Sequence, residues 1–121
     1  MALILVVEDN ATNQEIVSRF LRREGHLVLQ AMDGVAGVKS AQKQIPDLIL
    51  MDLGLPEMDG WEAIRRIRSN SATAHIPVIA LTAHSSLDEV KQAQEAGCDA
   101  FEVKPVDYKR LMKKIRAFVR E

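Results

Sequence analysis

Five short apolar runs alternate along the chain with stretches whose apolar residues recur at helical spacing. No other feature limits the fold as strongly. The runs are Leu3–Val7, Leu27–Ala31, Leu48–Met51, Val78–Leu81 and the segment around Ala100–Val103. Each reads as a buried strand. The stretch after the first run carries Ile16, Val17, Phe20 and Leu21 and stops at Gly25, a residue suited to end a helix. The second, roughly Val35 to Lys43, presents Val35, Val38 and Ala41 before Pro46 blocks continuation. A third opens at Asp59 and carries Trp61, Ile64 and Ile67. The fourth starts at Ser86, whose Glu89 completes a capping box, and ends at Gly97. The fifth follows Asp107 with Tyr108, Leu111, Met112, Ile115, Phe118 and Val119.

Strict strand–helix alternation implies parallel strands, because parallel neighbours need crossover connections and both sheet faces are then covered. Near-continuous apolar strands fit that burial better than alternating ones do. The expected fold is α/β, a doubly wound five-stranded parallel sheet with helices on both sides. At 121 residues, without an evident linker, repeat or low-complexity tract, the chain is expected to form one domain over 1–121.

Composition excludes several classes. Hydrophobic residues make up 47% and charged residues 27%, which argues against disorder. Sixteen basic and 17 acidic residues leave a net charge of −1, so there is no bulk attraction to nucleic acid or an anionic membrane. The single cysteine, Cys98, cannot form an internal disulfide or a multi-thiolate metal site, and the expected compartment is the cytoplasm. The run MALILVV lacks a basic leader and is cut short by Glu8-Asp9, and no window approaches the ~18 apolar residues of a membrane span.

In open α/β sheets ligands bind outside the carboxyl ends of the strands, near the point where strand order reverses. Polar residues collect at those ends here: Glu8 and Asp9 after the first run, Asp52 after the third, Thr82 after the fourth, and Lys104-Pro105 after the fifth. At such an edge Asp52 need not be buried. Clustered carboxylates repel and raise one another's pKa, so positive charge must offset them. An oxygen-only donor set without histidine or cysteine suits a hard cation, Mg²⁺. Lys104 adds an ammonium able to clamp a phosphoryl group, and Thr82 a hydroxyl able to donate to one. Together these parts suit phosphoryl transfer onto a carboxylate. Each residue also has a plainer reading. Asp9 or Asn10 would cap the first helix, Asp52 the next turn; Thr82 would be a β-former and Lys104-Pro105 a solvated turn.

The segments LILVVEDN, PDLILMDLGLPEMDG, VIALTA and FEVKP, in this order and spacing, resemble the response-regulator receiver domain of two-component signalling over essentially the whole chain. The resemblance implies a flavodoxin-like, CheY-like sheet of order 2-1-3-4-5. It implies Asp52 as phosphoacceptor, with Mg²⁺ held by Glu8, Asp9, Asp52 and the backbone carbonyl of Gly54. Lys104, through a cis bond to Pro105, would contact the phosphoryl group. Thr82 would be the switch hydroxyl and Phe101 the switch aromatic. The phosphoryl donor would be a histidine kinase or a histidine phosphotransfer protein. Output would pass to a downstream protein through the surface of the fourth helix, fifth strand and fifth helix, without direct nucleic-acid or membrane binding. Such a domain is not an enzyme, although it assists its own phosphorylation and dephosphorylation.

Gly54 leaves no side chain beside the acceptor, and His84, two residues after Thr82, is either an exposed loop histidine or a tuner of hydrolysis. Phe101 keeps a ring without a tyrosine hydroxyl. His75 and His26 read as loop and helix-end residues, Cys98 as an apolar filler, and Trp61, at the start of the third helix near the acceptor loop, as a packing residue and a fluorescence reporter of metal binding. Lys109, Arg110, Lys113, Lys114, Arg116 and Arg120 form either a solvated helix face or a partner surface. A flavin or nucleotide site would want a Gly-rich cradle where Glu8-Asp9-Asn10 stands. An aspartate-nucleophile phosphohydrolase would want its DxD after the first strand. A degenerate receiver would lack one of the site residues. Segments such as VEDNATNQ and VIALTAH are similar to those of hybrid-kinase and phosphorelay receivers, so both a stand-alone regulator and a receiver excised from a longer protein are expected readings.

Overall fold

The structure, a computed structural model, describes residues 1–55, 58–83 and 87–119, without the side chains of 87–90 and 93. Pro56, His84 and the Ser86–Glu89 capping box lie outside the described residues. The strands are β1 (Leu3–Val7), β2 (Leu27–Ala31), β3 (Leu48–Asp52), β4 (Val78–Thr82) and β5 (Ala100–Val103). They alternate with α1 (Ala11–Arg23), α2 (Gly34–Gln44), α3 (Gly60–Ser69), α4 (Leu87–Ala96) and α5 (Tyr108–Phe118). All strand pairs are parallel, in the order β2-β1-β3-β4-β5. The parallel sheet expected from the alternation is present, in the flavodoxin-like order that the resemblance implies.

Successive strand residues point to opposite faces, and this splits the interior into two cores. Leu5, Val7, Ile49, Met51, Val78 and Ala80 meet Val38 and Ala41 of α2, Ile64 and Ile67 of α3, and Ala96 of α4. On the other face Ile4, Val6, Leu48, Leu50, Ile79 and Leu81 meet Val17 and Leu21 of α1 and Leu111, Met112 and Ile115 of α5. The central β3 and β4 are buried at every position, whereas β2, at the sheet edge, exposes Leu27. Asx side chains start four helices: Asn10, Asp33, Asp59 and Asp107 each accept a backbone N–H from the first turn of α1, α2, α3 and α5.

Two apolar residues assigned to helix faces are exposed instead. Ile16 and Val35 lie about half-exposed, because Val17 and Leu21 in α1, and Val38 and Ala41 in α2, already fill the inward stripe. Asp52 and Thr82 end β3 and β4, as expected, and are their last paired residues.

Candidate functional site

Strand order reverses between β1 and β3, since the chain moves from β1 outward to β2 and then returns to β3 on the other side. The crevice beyond the carboxyl ends of these strands is where such folds bind ligands. Ladder hydrogen bonds continue past the strand ends and hold them in register: Glu8 N–H to the Ala31 carbonyl at 3.0 Å, Leu53 N–H to Leu81 at 2.9 Å, and Lys104 N–H to Thr82 at 2.7 Å.

This register brings Glu8, Asp9 and Asp52 together, with one carboxylate oxygen from each lying within 4.8 Å of the others. Glu8 and Asp52 are buried and Asp9 is exposed. Asp52 stands at the expected sheet edge and lines a cavity there, yet it is only 5% exposed, with Lys104 against its Oδ2. Lys104 Nζ lies 3.0 Å from Glu8 Oε1 and 3.1 Å from Asp52 Oδ2. The other Asp52 oxygen, Oδ1, accepts the Gly54 N–H at 3.0 Å, and Glu8 Oε2 accepts the Asn10 N–H at 3.2 Å. The Lys104–Pro105 bond is cis.

At an effective dielectric of about 20, two carboxylates ~4.8 Å apart repel by roughly 3 kcal/mol. One ammonium against three carboxylates leaves two negative charges in excess, the electrostatic setting of a hard-cation site. Burial, then the hydrogen bond shared with Asp52, hold the Glu8 carboxyl above its ordinary value of 4.5, against the lowering by the Asn10 N–H and Lys104. Burial works to lower Lys104, but the hydrogen bond to Glu8 and the charge of Asp52 outweigh it and raise the ammonium. The pair is therefore felt unequally: it secures the charge of Lys104 while Glu8 remains a reluctant anion.

Several plainer readings are now separated from the functional ones. Asn10, not Asp9, caps α1, with its Oδ1 accepting from Asn13 N–H at 2.9 Å. Lys104 is no solvated turn residue. Thr82 is buried at the end of β4 and lines the same cavity as Asp52, Gly54 and Lys104. Phe101, half-buried, pairs in register with Ala80, so it shares a sheet face with Thr82, diagonally across β4 and β5. His75 is exposed, and His26 accepts the Ala2 N–H at Nδ1, 3.2 Å away. Burial and the terminal ammonium lower the His26 pKa. Cys98 packs against the core beside α4, its thiol pushed up by burial.

Three polar networks escaped sequence reasoning. Glu102, 2% exposed in β5, accepts Arg110 Nε at 2.9 Å and Lys114 Nζ at 2.7 Å. Lys114 also donates to the Phe101 carbonyl at 2.7 Å and stands 5.8 Å from the centroid of its ring. Part of the basic stretch is thus tied to β5, although the Arg110 side chain stays more than half exposed. The available signal was a lone glutamate inside an apolar strand, followed by cations at helical spacing. Arg68 at the end of α3 donates to the carbonyls of Gly97, Ala74 and Ile76 and to Asp99 Oδ2. Buried Gln14 donates to the Val6 and Ala31 carbonyls and accepts from Ser18.

The family model described as the response regulator receiver domain matches residues 4–116. The chain is 37% identical over 120 residues to the DNA-binding dual master transcriptional regulator RpaA of Synechocystis, covering 99% of this chain and 50% of that protein. It therefore spans half the length of that relative. It is 30% identical over 116 residues to the polar-differentiation response regulator DivK of Brucella anthropi, covering 96% of this chain and 94% of that one. A solved receiver domain of a sensor histidine kinase from Pseudomonas aeruginosa superposes with a TM-score of 0.90 at 36% identity, covering 97% of this chain and 96% of that one. That structure has a magnesium ion coordinated in its active-site cleft. Among the described residues no helix is long and apolar enough to cross a membrane.

Proposed function

Because the chain belongs to the response regulator receiver domain family, a family of phosphoacceptor signalling domains, we propose that Asp52 is its phosphoacceptor and that residues 1–121 form one such domain. One observation carries this reading: Lys104 Nζ bridges Glu8 and Asp52 at the edge of a three-carboxylate cluster, in the crevice where the sheet order reverses. An Asp52 oxygen attacks the phosphorus of a phosphohistidine, the P–N bond breaks, and its electron pair returns to the imidazole, which takes up a proton. Lys104 exchanges a carboxylate partner for a phosphoryl oxygen, and Thr82, on the same cavity wall, donates its hydroxyl to another. Phe101 follows Thr82 on the shared sheet face and passes the change to the α4–β5–α5 surface.

The donor set fits Mg²⁺: Glu8, Asp9 and Asp52 would hold it with the Gly54 carbonyl. When bound, the ion supplies neutralising charge for the carboxylates and for the incoming phosphoryl oxygens. The domain assists its own phosphorylation and dephosphorylation and turns over no separate substrate. Its phosphoryl donor is a histidine kinase or histidine phosphotransfer protein, and its output partner is a protein. The likeness to DivK and to a sensor-kinase receiver supports both a stand-alone regulator and a domain of a longer protein. The lone cysteine and the net charge of −1 support a cytoplasmic domain that does not itself bind nucleic acid.

Treatment with acetyl phosphate and Mg²⁺ followed by intact mass spectrometry tests this. One phosphoryl adduct is expected in the wild type, none in Asp52→Asn and none with chelator. An adduct that persists in Asp52→Asn, or ignores the chelator, would refute the site assignment.

A further inference from the structure

The cavity that carries Asp52 has a volume of about 400 Å³ and is lined, among the described residues, by Gly54, Trp61, Thr82 and Lys104 as well. Gly54 leaves one side of it open: among the described residues, a Cβ added there would meet only Asp52 Oδ1, at 3.6 Å. Trp61 occupies the first turn of α3, half-buried, with its ring against the core of the α2–α4 face. Its position relative to Asp52 is set by the residue before it. A Cβ on Gly60 would lie 2.3 Å from the Asp52 carbonyl oxygen and 2.7 Å from Leu53 Cα, so the start of α3 is pressed directly onto the end of β3.

The Trp61 Nε1 is buried and, among the described residues, has no hydrogen-bond partner. A buried donor left unpaired costs about 1–3 kcal/mol. The ring nevertheless stays half-buried against the core and lines the cavity of Asp52.

We infer that Trp61 is a positioning residue that lengthens the life of the phosphoryl group on Asp52, walling the cavity on the side that Gly54 leaves bare and restricting the approach of water. The inference rests on the phosphoacceptor reading. In the step it controls, a water oxygen attacks phosphorus opposite the bond to Asp52. The P–O bond to Asp52 breaks, its electron pair returns to the carboxylate, and the water proton leaves with phosphate or to solvent. A bulky ring beside the acceptor reduces the share of orientations from which water reaches that line.

The test is the decay of the adduct after acetyl phosphate is removed, with Mg²⁺ present, followed by intact mass. Trp61→Ala is expected to lose the adduct roughly three- to tenfold faster than wild type, with its Mg²⁺ affinity unchanged. Trp61→Phe, which keeps a ring, is expected to decay within about twofold of wild type. Gly54→Leu is expected to slow decay more in the Trp61→Ala background than alone, because the two side chains would guard the same space. A folded Trp61→Ala protein with wild-type decay overturns the inference while leaving Asp52 as acceptor. A wild type that takes no adduct overturns both. Trp61 is the sole tryptophan, so wild-type emission gives a measurement that needs no variant. Acrylamide quenching of that emission should fall on phosphorylation, and unchanged quenching would count against the wall.

Discussion

Each oxygen of the Asp52 carboxylate has its own protein partner, the Gly54 N–H on Oδ1 and Lys104 on Oδ2. Lys104 would compete with a bound cation for the same carboxylates. Lys104→Ala should therefore destabilise the metal-free protein by roughly 2 kcal/mol in urea melts, by leaving Glu8 and Asp52 facing each other. The same variant should bind Mg²⁺ at least as tightly as wild type in a titration, yet no longer transmit phosphorylation to a partner. Weaker Mg²⁺ binding would mean that Lys104 shapes the site instead of competing for it. At Gly60 the constraint is steric. Gly60→Ala should cost about 1–3 kcal/mol and sharply slow adduct formation, since the new methyl displaces the Asp52 backbone. Unimpaired adduct formation in this variant would show that α3 can retreat without moving Asp52.

Between elements, Arg68 joins the end of α3 to the segment before β4, the end of α4 and the start of β5. Its planar fork serves three carbonyls and one carboxylate at once, and a lysine ammonium cannot reach that set. Arg68→Lys should thus lose most of what Arg68→Met loses, on the order of 2 kcal/mol in chemical denaturation. Near-wild-type stability of the lysine variant would reduce the role of Arg68 to its charge. The β5–α5 junction is held in a comparable way by Glu102, Arg110 and Lys114. Lys114 also fastens the Phe101 backbone, so α5 is mechanically coupled to the proposed switch ring.

For the whole molecule, Glu8 would link stability to the proposed metal binding. The fold holds its proton more tightly than the unfolded chain does. Its favourable contribution is therefore complete below the ordinary value of 4.5 and is lost as pH rises through the raised folded value. Lys104 acts at the other end: its contribution persists up to its ordinary 10.5 and is lost as pH rises through its raised value. At neutral pH the metal-free site is thus short of positive charge. Mg²⁺ at about a hundred times its Kd should add roughly 2.7 kcal/mol, or on the order of 10 °C in the thermal midpoint. That increment should shrink toward pH 4.5, where protons compete for Glu8. Equal increments at pH 7 and pH 5 in melts with and without chelator would argue against Glu8 as a ligand.

Patterning along the chain determined the five strands, their parallel pairing and the edge at which Glu8, Asp9, Asp52, Thr82 and Lys104 collect. These were legible because strand burial and helix periodicity are local properties of the sequence. The burial of Asp52, the capping of α1 by Asn10 rather than Asp9, and the pairing of Lys104 with two carboxylates were decided only by tertiary structure. So were the Arg68 and Glu102 networks, which join residues up to 31 positions apart in the chain. The sequence places Trp61 near the loop after Asp52, but the cavity the two share follows from how closely Gly60 lets α3 approach β3. The physical reason is the same throughout: which donor meets which acceptor depends on distances set by packing between elements, and these are not encoded in any one segment.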